Sequence, residues 1–161
     1  MGLLTPIQKA NLKFKLVGLF KIRMLGFVNA KLVEYSEQKT VVRVPLNRKT
    51  RNHLGSVYIG ALAVGADVTG AWLVFDYLDK TKKKVSIVFK DLRAEFLKRA
   101  DGDVHFTCLD GPEVLASFNQ TILDGERKNI PLTVTATVPS KYGEEPVATF
   151  VMTLSMRYKK R

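Results

Sequence analysis

Asn52-His-Leu-Gly-Ser-Val-Tyr-Ile-Gly-Ala-Leu-Ala-Val-Gly-Ala-Asp67 is the stretch on which the reading of this chain turns. From Gly55 to Phe75 every side chain is uncharged except one, and Asp67 is the only ionisable carboxylate among those 21 residues. Ala, Leu and Val dominate, proline is absent and the run is too long for a strand. The composition therefore predicts a helix over about Ser56 to Tyr77. A helix apolar on every side must be covered on every side, by lipid or by the protein's own sheet. The acid near its middle, the many Gly and Ala residues and the lack of a second such segment favour the sheet. Gly60, Ala61, Gly65, Ala66 and Gly70 would let strands come close to its backbone. A carboxylate in such surroundings is costly to desolvate, and is retained where it is paired or functional.

Outward from this helix the pattern is simple. Pro6 to about Leu25 reads as a helix, with Thr5 as a cap and Pro6 in the first turn. Ile7, Phe14, Val17 and Phe20 alternate there with Lys9, Lys13, Lys15, Lys21 and Arg23. That basic amphipathic pattern suits packing on the sheet or a neighbouring subunit, or a membrane surface. Phe27–Tyr35 and Lys39–Val44 alternate as strands, joined around Ser36-Glu-Gln. Lys84–Lys98 and Asp103–Leu109 follow, on either side of the turn-forming Asp101-Gly102. Gly111–Asp124 carries Leu115, Phe118, Ile122 and Leu123 at helical spacing, so a short helix is preferred to a hairpin turn. Asn129–Pro139 and Val147–Tyr158 complete about six strands.

The central string, Asn-His-x-Gly-Ser-x-Tyr-x-Gly60-Ala-Leu with Asp67 seven residues on, resembles the core-helix signature of the hotdog-fold thioesterase superfamily. More closely it is similar to small bacterial members described as a domain of unknown function (DUF4442-like). Pro45-Leu-Asn-Arg-Lys-Thr-Arg51 and the later Phe89, Phe96, Arg99, Gly102 and Val104 fit the same pattern, so the likeness covers roughly residues 27 to 158. It implies an α+β hotdog fold: an antiparallel sheet of about six strands wrapped around one long helix, with an extra N-terminal helix. The domain would span residues 1–161, with helix 1–25 preceding a 27–158 core. It also implies an acyl-CoA-type thioester as substrate, no cofactor beyond the coenzyme A of that substrate, and a homodimer or dimer of dimers. The site would lie between subunits, with Asn52, Tyr58 and Gly60 of one chain facing Asp67 of the other.

Thioester hydrolysis needs a base or nucleophile, a group to polarise the carbonyl, and room for the thiol. Asp67 would activate water or attack directly, and sequence does not separate the two. Backbone N–H groups near Ile59 and Gly60, at the positive end of the helix, would hold the thioester oxygen. Asn52 would orient the acid or the water, or cap a turn. His53 would touch substrate or close the loop, and Arg51, Lys98 and Arg99 are the first candidates for the coenzyme A phosphates. Many catalytic relatives carry His-Gly-Gly just before the helix, where this chain reads Tyr58-Ile59-Gly60. Tyr58 can donate a hydrogen bond but lacks imidazole chemistry, and Ile59 narrows the approach.

Composition agrees with one soluble domain of 161 residues, 46% apolar and 25% charged. Neither a leader with a cleavage site nor a disulfide pair is read, since Cys108 is alone, and a cytoplasmic location is expected. Two scattered His and one Cys do not make a metal site, and no phosphate-cradling Gly loop is present. Ser56 lacks the Gly-x-Ser-x-Gly setting of a hydrolase nucleophile. The net charge of +11 fits phosphorylated ligands and anionic surfaces, so two other readings stand beside the thioesterase. One is an acyl-binding protein without turnover. The other is a basic protein that makes peripheral membrane contact; nucleic acid is the less expected partner, as no motif supports it.

Overall fold

The computed structural model describes residues 4–159. Helix α1 (Pro6–Phe20) begins with a reciprocal cap: the Gln8 N–H donates to Thr5 Oγ1 and the Thr5 N–H donates to Gln8 Oε1. The single helix expected to Leu25 breaks at Lys21–Ile22 and resumes as α2 (Arg23–Phe27). The strand expected from Phe27 starts only at Lys31, as β1 (Lys31–Tyr35). Val28, Ala30 and Leu32 are all buried, so the alternation is real. Leu25 and Val28, three apart, are buried together as on a helix, and Asn29 at φ +53° turns the chain out of α2.

The other elements are β2 (Thr40–Val44), α3 (Ile59–Thr81), β3 (Val85–Phe96), β4 (Val104–Cys108), α4 (Gly111–Asp124), β5 (Lys128–Thr137), α5 (Pro139–Tyr142) and β6 (Pro146–Tyr158). One antiparallel sheet holds the six strands in the order β1-β2-β4-β5-β6-β3. Strands β3 and β4 are thus sequence neighbours that never pair: Asp101-Gly102 closes no hairpin, and β3 lies at the far edge beside β6. Helix α3 starts three residues after Ser56 because the backbone through Tyr58 is extended, bridged to Arg51 at Val57 and donating from Tyr58 to the Thr50 carbonyl, and the loops hold Ser56 and Val57. Their N–H groups donate to Asn52 Oδ1 and to the Ala100 carbonyl. Apolar enough to cross a membrane, α3 is instead the core helix, with Trp72 and Val74 fully buried. Cys108 packs in the same core, and burial pushes its thiol up to about 11, which leaves no thiolate near neutrality.

The two sheet edges differ. At β1, Asn11 of α1 stands in for a strand: its Nδ2 donates to the Leu32 carbonyl and its Oδ1 accepts from the Leu32 N–H, each at 2.9 Å. Strand β3 has no partner on its outer side among the described residues, and Val88, Leu92 and Phe96 along it are about half exposed. A long apolar edge left open invites a second strand.

Asp76 ties α1, β1 and α3 together. Lys13 Nζ lies 2.9 Å from its carboxylate, Lys80 Nζ 2.8 Å, and the Tyr35 hydroxyl donates to it. Burial works to raise the Asp76 pKa, but the hydrogen bonds from Lys80, Tyr35 and Lys13 outweigh it and hold the carboxyl below its usual value of 3.8. Burial and the same carboxylate push the Tyr35 phenol far upward. Removing the acid strands the Tyr35 phenol and leaves Lys13 with Asp79 alone, so Asp76→Ala is expected to cost about 2 kcal/mol at neutral pH, less than a fully buried pair because Lys80 is exposed. An acid with a depressed folded pKa stabilises above its unfolded pKa and stops doing so as pH falls through the folded one. The stability difference between the two proteins in urea unfolding should accordingly shrink as pH falls below the usual carboxylate range.

Candidate active site

Helix α3 presents one stripe that the sheet leaves partly open: Gly60, Ala63, Val64, Asp67 and Phe75 are half-buried, while the rest of its first five turns is mostly buried. Residues three, four and seven apart share a helix face, so these positions form one line. Asp67 lies a little over two turns in. It sits in a shallow pocket of about 130 Å³ with Ala71 and Phe75 of its own helix, Ile22 from the α1–α2 turn, and Ile87, Val88 and Phe89 of β3. No hydrogen bond or ion pair reaches its carboxylate among the described residues. Burial alone raises its pKa above the usual 3.8. Nine residues on, Asp76 is half a turn out of phase and faces the opposite side, which is why two acids on one helix have such different fates. The apolar pattern does not single out that second acid, although its spacing from Asp67 places it on the other face.

The start of α3 is a separate feature. Tyr58 caps the helix with its carbonyl, to which the Leu62 N–H donates, and offers no side-chain cap. The N–H groups of Ile59, Gly60 and Ala61 are therefore the free donors of the first turn. The Tyr58 ring folds back over Gly60: a Cβ there would come within 2.6 Å of the ring. Tyr58 and Ile59 themselves are more than half exposed. Gly60 and Asp67 share the stripe but are seven residues apart, about 10 Å at the rise of an α-helix.

The loop before the helix is closed by its own residues. Asn52 Oδ1 accepts from the N–H groups of Leu54 and Ser56, and Asn52 Nδ2 reaches Ser56 Oγ at 3.3 Å. His53 and Leu54 are exposed at its tip, and Arg51 forms a single bridge to Val57. The loop after β3 buttresses it: an Arg99 N–H donates to the Leu54 carbonyl while its Nε lies 3.4 Å from Asp101. Lys98 pairs with Glu145 and sits over the Tyr142 ring. The structure thus gathers Arg51, Asn52, His53, Tyr58, Ile59, Gly60 and Arg99 around one end of α3, and Asp67 stands apart, against β3.

A six-stranded antiparallel sheet around one central helix makes this a hotdog fold, with an acid and a free helix start on that helix's open stripe. The chain belongs to the family described as a domain of unknown function (DUF4442), whose model matches residues 13–156. Among solved structures it is similar to a protein of unknown function from Chlorobaculum tepidum, at 16% identity and a TM-score of 0.80 over 97% of this chain and 98% of that one. It is also similar to a probable thioesterase from Pseudomonas aeruginosa (21% identity, TM-score 0.75, 92% and 95% covered). A thioesterase from Haemophilus influenzae matches at 13% identity and a TM-score of 0.65 over 89% and 88% of the two chains. No curated protein matches the chain.

Proposed function

We propose that the chain hydrolyses an acyl-CoA-type thioester at a site completed by a second copy of itself. The observation that carries this reading is the Asp67 carboxylate, without a partner among the described residues, in an apolar pocket on the open stripe of the core helix and beside the edge strand β3. A water held by Asp67 adds to the thioester carbonyl, the acid takes its proton, and the carbon–sulfur bond breaks. The products are the free acid and the coenzyme A thiol, which receives the proton. Direct attack by Asp67, with water then cleaving the anhydride, gives the same balance. The oxygen of the tetrahedral intermediate would rest on the Ile59–Gly60 N–H groups.

Distance supports the second copy. An attacking oxygen must approach within about 3–3.5 Å of the carbon, and the donors within hydrogen-bond reach of the oxyanion. One chain's Gly60 and its own Asp67, about 10 Å apart, do not satisfy both. Two β3 edges paired antiparallel would set the helix start of one chain toward the acid of the other. The test is complementation. Asp67→Asn and Gly60→Val should each be inactive in thiol release, but refolding them together should restore about a quarter of wild-type activity, since half the dimers then hold one intact site. No recovery on mixing, with heterodimers formed, would rule out a shared site.

Acyl-CoA binding without turnover is the second reading, and the Tyr58 ring lying over Gly60 favours it. Thermal stabilisation by acyl-CoAs with no thiol released would select it. If hydrolysis occurs, its acid limb should lie above the usual carboxylate range. The base works only ionised, and burial raises the pKa at which Asp67 ionises. A plot of log kcat/KM against pH measures this directly.

A further inference from the structure

Helix α1 has two apolar faces where a surface helix needs one. Phe14 and Val17 are buried against the core, with Ile7 and Ala10 packed beside them. Leu12, Leu16, Leu19 and Phe20 form a second stripe on the opposite side, at the i, i+4, i+7, i+8 spacing of a continuous face. All four are about half exposed or more, and Phe20 is 79% exposed. Met24 and Phe27 of α2, both about half exposed, add to this surface. A groove of about 450 Å³ runs beside the stripe, walled by Leu12, Leu19 and Leu25, with Lys15 and Lys31 on its lining. Isolated exposed leucines are ordinary, but a contiguous patch of this kind marks a binding surface.

The charge around the patch is of one sign. The first acidic residue in the chain is Glu34, so six cations precede any carboxylate. Of these Lys13 turns to Asp76 and Asp79, whereas Lys9, Lys15, Lys21, Arg23 and Lys31 form no ion pair among the described residues. Two copies joined through this face would bring those cations together with no acid between them. Nucleic acid matches the charge but offers nothing to a row of exposed leucines. An anionic bilayer matches both: acyl chains take the apolar stripe, and headgroup phosphates face the lysines around it.

The geometry points to the outer face of α1–α2 as a docking surface for anionic phospholipid membrane, with the helices lying in the interface. This does not rest on the thioesterase reading, and the two are tested separately on the same proteins. Sedimentation is run with vesicles of phosphatidylcholine alone and with vesicles of equal parts phosphatidylcholine and phosphatidylglycerol. The wild type should bind the mixed vesicles at least tenfold better, and high salt should remove that preference. Leu16→Glu with Phe20→Glu should lower binding at least tenfold. Its melting temperature, its mass by light scattering and its thiol release from dissolved acyl-CoA should match the wild type, because both side chains point outward. Failure to bind either vesicle, or equal binding to both, overturns the proposal. So does a double variant whose solution mass is half the wild-type value, since the stripe would then be an interface between copies.

Discussion

Asp67→Asn yields a folded protein that releases thiol from acyl-CoAs at least about a hundredfold more slowly than the wild type. Asparagine keeps the shape of the side chain and removes both its basicity and its nucleophilicity, so the loss reads chemistry and not packing. The same substitution should raise the melting temperature at neutral pH. Burial penalises the charged form of Asp67, and no hydrogen bond or cation among the described residues offsets the penalty. A carboxylate whose folded pKa is raised favours folding most below its unfolded pKa and loses that contribution as pH rises through the folded one. At neutral pH Asp67 is therefore a cost, and relieving it should give roughly 0.5–2 kcal/mol, the usual size of a stabilising single substitution. The advantage of the amide over the acid should vanish below about pH 4, where both side chains are neutral. Slower turnover with higher stability identifies a strained functional acid. Unchanged turnover removes Asp67 from the chemistry, and a lower melting temperature would mean that the carboxylate has a structural partner instead.

The core helix, its buried surroundings and the six strands were readable because each rests on local pattern: a long apolar run, small residues at close spacing, and alternation. Where the outcome depended on contacts distant in sequence, the chain withheld it. Nothing local tells that β3 passes by β4 to pair with β6, because the Asp101-Gly102 turn would serve a hairpin equally well. The break at Lys21–Ile22 has no Gly or Pro at those two positions; the glycines that matter flank it, Gly18 and Gly26, whose backbones meet so closely that a Cβ on either would lie 3.0 Å from the other, and that contact is tertiary. Asn52 looked equally suited to a turn and to orienting a water, and the structure gives its oxygen two N–H partners within the loop. Asn11, as the seal of the β1 edge, is an ordinary helix residue until Leu32 is brought beside it. The candidate site was legible as far as one helix carries it. Gly60 and Asp67 share a face by spacing alone, but the loop that frames the helix start and the β3 wall behind the acid are tertiary facts.

Small residues along α3 leave the sheet little room to spare, and Gly65→Ala is the substitution on that helix expected to damage the fold most. Alanine in place of a mid-helix glycine ordinarily gains about 1 kcal/mol in helix propensity. Here a Cβ at Gly65 would lie 2.3 and 2.5 Å from two ring carbons of Phe106, where carbon atoms normally rest about 3.5–4.0 Å apart. The ring must move by more than about 1 Å to restore that spacing. It has little freedom to do so: Phe106 is fully buried, its strand is paired on both sides, and the Phe150 ring stands 6.2 Å away. Overpacking of this severity costs roughly 4 kcal/mol, above the common range, and outweighs the propensity gain to leave a net loss of about 3 kcal/mol. For a domain of this size that lowers the melting temperature by about 6–12 °C. Gly70→Ala is the control on the same helix. Its Cβ would meet the ends of Leu132, Met152 and Phe89 at 3.2 to 3.4 Å, and flexible tips can give way by a few tenths of an ångström. That variant should be neutral or slightly stabilised. In a Phe106→Leu background the cost of Gly65→Ala should shrink by about 1–2 kcal/mol, because the ring it collides with is gone. An unchanged cost there would mean that the glycine is required for some other reason than its contact with Phe106.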